Sequence, residues 1–195
     1  YAEVLEDVEG ALWNRRMIQE CLVKDSEKPQ VYPRTVIAID PAVTQSKQSN
    51  ETGIVVASKG EDNKFYIRDD LSGKYSPDQW ARVAVENYYK YEADKIIAEV
   101  NNGGDLVEKV VRTIDMNVSY RSVRATKGKY LRAEPVSALY EQKRVRHEKP
   151  FPFLEDQMCN YNPISFNGSP DRLDALVWAL TDLSANVGKA YWRIS

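Results

Sequence analysis

The sequence has few of the residues from which many enzyme sites are built. It contains two cysteines, Cys21 and Cys159, and a single histidine, His147, in 195 residues. Two cysteines so far apart exclude a disulfide framework or a cysteine-based zinc site, and they fit a reducing compartment. One histidine makes a histidine-centred triad or zinc site hard to build, so we interpret His147 as a structural or surface residue.

Several targeting and nucleotide-binding signals are also missing. No apolar run approaches the roughly 18 residues that cross a bilayer, and the N-terminus lacks the basic start of a signal peptide. We therefore expect a cytoplasmic protein without a membrane partner. The chain has no GxxxxGK motif, because KGKY at 127–130 has the wrong spacing, so ATP hydrolysis is not expected. Because the chain begins at Tyr1 without a methionine, we expect it to come from a longer polypeptide.

The composition, by contrast, is that of a folded domain. It is 43% hydrophobic and 29% charged, which predicts one globular domain with a substantial core. The net charge is only −2, yet residues 121–149 hold nine Lys or Arg against three acids and carry +6. The remainder therefore carries −8. This asymmetry is typical of a polyanion-binding face, although a solvated face of alternating charge gives the same pattern.

The order of patterns along the chain predicts an α/β fold. A helix is expected over 3–23 and a linker over 24–33, followed by three strand-like runs at 34–40, 52–58 and 64–71. Helical and strand patterns then alternate, with strands at 94–100 and 118–125 and a short strand at 144–147. The helices are expected from Ser76 onward and over 104–114, 134–142 and 170–183. Three antiparallel strands followed by two crossover units predict a mixed five-stranded sheet flanked by helices.

Four acidic residues stand out against this pattern. Asp171 and Asp174 open the largely apolar last helix, where acids also serve as ordinary partners of the helix dipole. Asp40 ends the first strand and Glu99 lies near the end of an otherwise apolar strand. Either residue alone has an ordinary explanation, as a turn starter or a solvent-facing side chain. Together they predict a carboxylate site for Mg²⁺ or Mn²⁺, and two such ions about 4 Å apart would suit phosphodiester hydrolysis.

The motifs together resemble a known family. The order β-β-β-α-β-α-β, with acids on the first strand, the fourth strand and the last helix, is similar to the ribonuclease H-like arrangement. The segments VIAIDPA, ADKIIAEVNNGG, RATKGKYLRAEPVSALYEQKRVRH, LEDQM and SPDRLDALVWALTDL resemble the C-terminal nuclease domain of the large terminase subunit of tailed bacteriophages. The resemblance covers roughly residues 32–184.

This resemblance implies an endonuclease that cuts concatemeric double-stranded viral DNA during genome packaging. Its metal ligands would be Asp40, Glu99 and Asp171 or Asp174, with the choice between the last two left open. Lys127, Lys129 and Arg132 would contact DNA phosphates, or form a solvated basic loop. Gly103 and Gly104 would serve a tight strand-to-helix turn, or lie in a plain loop.

The resemblance also implies an assembly and a division of the chain. Residues 1–30 would be a tail or connector from a missing N-terminal ATPase, and residues 31–195 the nuclease domain. The partners would be a portal protein and a small terminase subunit in the host cytoplasm. A monomeric state of the isolated domain is compatible with this assembly. Two alternatives remain open: a resolvase-type nuclease of the same fold, and a catalytically silent module that docks DNA or the portal.

Overall fold

The computed structural model describes residues 8–41, 51–100, 105–126, 128–166 and 168–185. Within these ranges, six strands form one sheet with helices on both faces. The strands are β1 (Arg34–Asp40), β2 (Gly53–Lys59), β3 (Phe65–Asp70), β4 (Lys95–Glu99), β5 (Tyr120–Val123) and β6 (Val145–His147). The helices are α1 (Arg15–Cys21), α2 (Pro77–Lys90), α3 (Asp105–Ile114), α4 (Lys129–Glu141), α5 (Pro152–Asn160) and α6 (Asp171–Ala185). No helix of the described ranges is long and apolar enough to cross a membrane.

The strand order of the sheet is β5-β4-β1-β2-β3-β6. Strands β1, β2 and β3 pair antiparallel, while β4 is parallel to β1 and β5 is parallel to β4. The predicted α/β class and mixed sheet are thereby confirmed. The short strand expected at 144–147 is present as β6. The expected count of five strands in the sheet was wrong, because β6 pairs in parallel with β3 and becomes the sixth strand. This added strand satisfies backbone groups that β3 would otherwise leave unpaired at an edge.

Alternation along β1 decides which face of the sheet carries the acids. Val36 and Ala38 pack into the core beneath α6, whereas Ile37 and Ile39 pack into the second core beneath α2 and α3. Successive side chains of a strand point to opposite faces, so Asp40 continues the row of Val36 and Ala38 toward α6. The end of β1 therefore presents its carboxylate to the start of the last helix.

Two helices differ from their predicted bounds. The N-terminal helix was expected over 3–23, but in the described part it runs only from Arg15 to Cys21, where the Asn14 side chain accepts a hydrogen bond from the backbone N–H of Met17. Just before it, Trp13 is buried and meets the ring of Tyr140 edge-on at 6.1 Å between centroids. Packing of this tryptophan against α4 outweighs the helical periodicity of residues 8–12, while residues 3–7 of the expected helix lie outside the described part.

Helix α4 begins five residues earlier than expected. The helix was expected over 134–142, whereas it starts at Lys129 and encloses Pro135. Two ion pairs from this early turn, made by Lys129 and Arg132, tie it to acids on other elements. The shift matters for function, because it carries both cations into the region where the acids converge.

Candidate active site

Asp40 and Glu99 end two neighbouring parallel strands. Ile39 of β1 lies opposite Ala98 of β4, so the following residues of the two strands come side by side at the same edge of the sheet. Both carboxylates are buried, with 9% of Asp40 and 7% of Glu99 exposed. An open α/β sheet places its chemistry at this carboxyl edge.

Asp171 and Asp174 reach the same edge from the first turn of α6. This helix presses directly on β2, since a Cβ atom added to Gly53 would lie 1.9 Å from the backbone oxygen of Asp171. The glycine thus permits the close approach that brings the helix start beside the end of β1. Both aspartates are buried, and Ser169 donates a hydrogen bond from its hydroxyl to the carboxylate of Asp171.

The four carboxylates interact strongly with one another. Burial, together with the negative charges of Asp174, Asp171 and Glu99, raises the pKa of Asp40 to about 8 against the opposing effect of Lys129. Burial likewise raises the pKa of Asp171 to about 6, although Ser169 and Lys129 act in the opposite direction. The pKa of Asp174 is raised as well, chiefly by burial. Clustered acids whose pKa values are raised by burial and by one another are typical of functional sites.

Two basic side chains already lie among the acids. The ammonium of Lys129 lies 2.5 Å from the Asp174 carboxylate, and the guanidinium of Arg132 lies 3.2 Å from that of Glu99. The indole N–H of Trp178 donates to the same Glu99 oxygen at 2.6 Å. Arg132 also stacks over the Trp178 ring, 4.7 Å from its centroid. These contacts hold Glu99 and Asp174 in place and partly neutralise them.

From the sequence, Lys129 and Arg132 were expected to contact DNA phosphates or to lie in a solvated basic loop, and Trp178 was not identified as a site residue. Lys129 and Arg132 are three residues apart and share a face of α4, which was a usable signal for a shared target. Trp178 lies four residues after Asp174 on the same side of α6. Because a buried indole N–H needs a hydrogen-bond acceptor, this position was a usable signal for a contact with one of the acids. Lys127, Gly103 and Gly104 lie outside the described residues.

The donor chemistry of the four acids fits a hard cation. All four residues offer carboxylate oxygens, which are the ligands that Mg²⁺ and Mn²⁺ prefer. Across the described ranges, however, no three His, Cys, Asp or Glu side chains are already arranged as a finished metal site. Glu99 instead contacts Arg132 and Trp178, and Asp174 contacts Lys129. The carboxylates are close and mutually repelling, but two of them are turned to protein cations.

His147, the single histidine, belongs to the core and not to this site. It is fully buried, and its ring nitrogens lie 2.9 Å from the Tyr140 hydroxyl and 3.2 Å from the Glu155 carboxylate. The structural interpretation is therefore confirmed, and the surface interpretation was wrong. With His147 engaged elsewhere, the candidate ligand set of the described site consists of oxygen donors alone.

The comparisons with known proteins agree on one family. The family model described as "Terminase RNaseH-like domain" matches residues 37–183. No curated protein sequence matches the chain. Among solved structures, the large terminase of bacteriophage HK97 is similar with a TM-score of 0.65 and 14% identity, over 88% of this chain and 43% of that one.

Two isolated nuclease domains are similar over most of their length. The nuclease domain of the large terminase subunit of bacterial virus Sf6 has a TM-score of 0.64 and 10% identity, over 87% of this chain and 98% of that one. The human cytomegalovirus terminase nuclease domain has a TM-score of 0.62 and 13% identity, over 86% and 93%. Structures of the cytomegalovirus domain soaked with Mn and of a variant Sf6 domain with manganese are also similar to this chain.

Proposed function

Because the chain belongs to the terminase RNase H-like domain family, we propose that it is a metal-dependent endonuclease that cleaves concatemeric double-stranded viral DNA during genome packaging. The observation that carries the proposal is the convergence of Asp40, Glu99, Asp171 and Asp174 at the carboxyl edge of the sheet, where burial and mutual repulsion raise the pKa of Asp40 to about 8. Such a cluster is costly to keep unless a bound cation makes use of it.

The cofactor in this proposal is a pair of Mg²⁺ or Mn²⁺ ions held by the four carboxylates. When bound, such ions activate a water molecule and stabilise the departing oxygen of the phosphodiester. The protein's own contribution is positional. Trp178 and Arg132 orient Glu99, Lys129 balances the charge of Asp174, and the surrounding apolar residues of β1, β4 and α6 limit access of bulk water.

Cleavage of supercoiled plasmid tests this function directly. The domain is incubated with plasmid in Mn²⁺, in Mg²⁺ and in EDTA, and nicked and linear products are measured over time. We expect cleavage in either cation and none in EDTA. If the domain binds the plasmid but does not cleave it, the proposal is overturned in favour of a catalytically silent module that docks DNA. Cleavage confined to four-way junctions, by a dimer, would favour the resolvase.

DNA is proposed to approach along β5 and the start of α4, where the basic segment lies. Lys129 is 45% exposed and can face a phosphate while it pairs with Asp174, whereas Arg132 is only 10% exposed and is turned toward Glu99. Arg124 is exposed just after β5 and lines a cavity of about 470 Å³ together with Arg132 and Trp178. We therefore add Arg124 to the phosphate contacts proposed for Lys127 and Lys129. The phosphate contact expected of Arg132 would require its guanidinium to leave Glu99.

The substitution Arg124→Ala tests this path. The logarithm of the DNA affinity falls linearly with the logarithm of the salt concentration, and each phosphate contact that is lost makes this slope less steep by about 1. We expect weaker binding of duplex DNA in EDTA, with the slope reduced by about that amount, measured by fluorescence anisotropy at several salt concentrations. The control is Arg82→Ala, since Arg82 is an exposed arginine on α2 that pairs with Asp78. An unchanged slope for Arg124→Ala would remove this residue from the interface.

The wider assembly is also part of the proposal. The chain spans 43% of the HK97 large terminase, which supports a place within a longer protein. We propose that it works beside an ATPase, a portal protein and a small terminase subunit in the host cytoplasm. The boundary near residue 30 between a connector and the nuclease domain remains a prediction. Trp13, Ile18 and Cys21, which precede this boundary, share a core cluster with α4 and α5.

A further inference from the structure

Arg172 lies between the two aspartates of α6 and is almost completely buried. Its side chain is 8% exposed, and it pairs with two acids that precede and end strands of the sheet. The guanidinium meets Glu51 through two contacts of 2.9 and 3.1 Å, and meets Asp70 through one of 2.7 Å. A buried arginine fork that meets two carboxylates fixes both distance and orientation, which a lysine cannot do.

The backbone at this point is fixed independently. The side-chain oxygen of Gln157, on α5, accepts hydrogen bonds from the backbone N–H groups of Arg172 and Leu173 at 3.1 and 3.2 Å. The first N–H groups of a helix have no partner within the helix, so this one amide satisfies two of them. The backbone of Asp171 also approaches Gly53 of β2 closely, which constrains the helix start from the side of the sheet. The start of α6 is thus held by α5, by β2 and by the ion pairs of Arg172.

The consequence concerns Asp171 and Asp174, which project from this same turn. Any rotation or translation of the helix start would move both carboxylates relative to Asp40 and Glu99, which belong to the sheet. A buried ion pair is by itself weak evidence for stability, because desolvation offsets much of its attraction. Its geometric specificity is better evidence for a role in placing the neighbouring aspartates.

We propose that Arg172, held by Glu51 and Asp70, is a positioning residue that sets the geometry of Asp171 and Asp174 for cation binding. The inference rests on the proposed metal-dependent function, and it adds residues that lie outside the ligand set. Side chains that orient metal ligands typically change metal affinity about 10-fold to 100-fold when they are replaced. The arginine acts here through the helix backbone and does not touch the cation.

The test compares Arg172→Lys with Arg68→Lys. Arg68 is a matched control, since it is a partly buried arginine of β3 that pairs with Glu148 and stacks between the rings of Tyr32 and Tyr91. Three quantities are measured for each protein: the thermal midpoint, the affinity for Mn²⁺ by titration calorimetry without DNA, and the exchange rates of the amides of Arg172, Leu173 and Asp174.

We expect both variants to melt below the parent, but only Arg172→Lys to bind Mn²⁺ about 10-fold or more weakly and to exchange those three amides faster. Gln157→Ala, which removes the helix cap without touching the ion pairs, should weaken Mn²⁺ binding in the same direction. It also serves as the deciding variant if Arg172→Lys does not fold. If Arg172→Lys folds and binds Mn²⁺ as tightly as the parent, the positioning role is overturned and the proposed function still stands. If Arg172→Lys does not fold, an unchanged Mn²⁺ affinity of Gln157→Ala has the same consequence. A parent that neither binds Mn²⁺ nor cleaves DNA would overturn both.

Discussion

Replacing Asp40 with asparagine is expected to lower plasmid cleavage at least about 1,000-fold, the order of loss seen when a group at the reacting centre is removed. Asp40 ends the central strand β1, and its carboxylate interacts with those of Asp174, Asp171 and Glu99. Asparagine keeps the shape but supplies a neutral amide in place of a charged ligand. Duplex DNA binding in EDTA should be unchanged, because the substitution leaves the basic segment intact. Initial rates of plasmid nicking in Mn²⁺, with anisotropy for binding, measure both effects.

The same variant should show an unusual dependence of stability on pH. Burial and the neighbouring acids raise the pKa of Asp40 to about 8, against about 3.9 in an unfolded chain. Between those values the native protein holds a proton that the unfolded chain has lost, so the stability of the metal-free protein falls as pH rises. Asparagine cannot ionise. In EDTA, the stability advantage of Asp40→Asn over the parent should therefore grow from pH 5 to pH 8, as measured by urea unfolding.

Asp69 provides the matched control for this experiment. It is equally buried, but the ammonium of Lys149 lies 2.8 Å away and the Tyr91 hydroxyl donates to it at 2.7 Å. Burial alone would raise the pKa of Asp69, but these hydrogen bonds, together with the positive charges of Lys149 and Lys90, lower it. A lowered pKa stabilises the native state above the unfolded value, and that contribution is lost as pH falls. Asp69→Asn should thus be less stable than the parent at pH 7 while it still cleaves DNA.

Two outcomes would contradict the assignment of Asp40. If Asp40→Asn cleaves plasmid at the parent rate, the carboxylate is not part of the reacting centre. If the variant loses stability at pH 8 as Asp69→Asn does, then Asp40 is paired in the native protein, and the repulsive cluster is not there. The opposite responses of two equally buried aspartates separate a strained functional acid from a satisfied structural one.

The acids could be predicted from the sequence because each breaks a local rule. Asp40 ends a buried strand, Glu99 interrupts an apolar one, and Asp171 and Asp174 open a buried helix, so each is visible in its own segment. Strand alternation and helix periodicity then suffice to bring them to one edge of the sheet. The same periodicities placed most of the sheet and the last helix within a few residues of their observed bounds.

The side chains that contact these acids could not be predicted from the sequence in the same way. Trp178 contacts Glu99 across 79 positions of the chain, and Arg172 contacts Glu51 across 121. No periodicity within a segment encodes such pairs, because they depend on how whole elements dock. The pairing of β6 with β3 and the early start of α4 were not predicted for the same reason, since a sheet edge and two ion pairs stabilise them from outside their own segments.

Lys129→Ala is expected to separate the stability of the protein from its affinity for metal. The ammonium of Lys129 opposes the rise in the pKa of Asp40 and Asp171 that burial produces. Without it, the acids repel one another more strongly, and the metal-free protein should lose stability by about 1 kcal/mol, a value kept small because the ammonium is 45% exposed and screened by solvent. A metal ion no longer competes with this cation, so Mn²⁺ should bind more tightly and raise the thermal midpoint further than in the parent.

Lys149→Ala is the matched control for this lysine. Lys149 is 54% exposed and pairs with buried Asp69 at 2.8 Å, much as Lys129 pairs with Asp174. Its removal should lower the thermal midpoint as well, but Mn²⁺ should then raise that midpoint no more than in the parent, because Asp69 lies outside the four-acid cluster. Thermal midpoints of the three proteins with and without saturating Mn²⁺ decide the matter. If Mn²⁺ stabilises Lys129→Ala less than the parent, the lysine supports the bound metal and does not take its place. If the two lysine variants respond alike, the contact with Asp174 is a surface ion pair that has no bearing on the candidate active site.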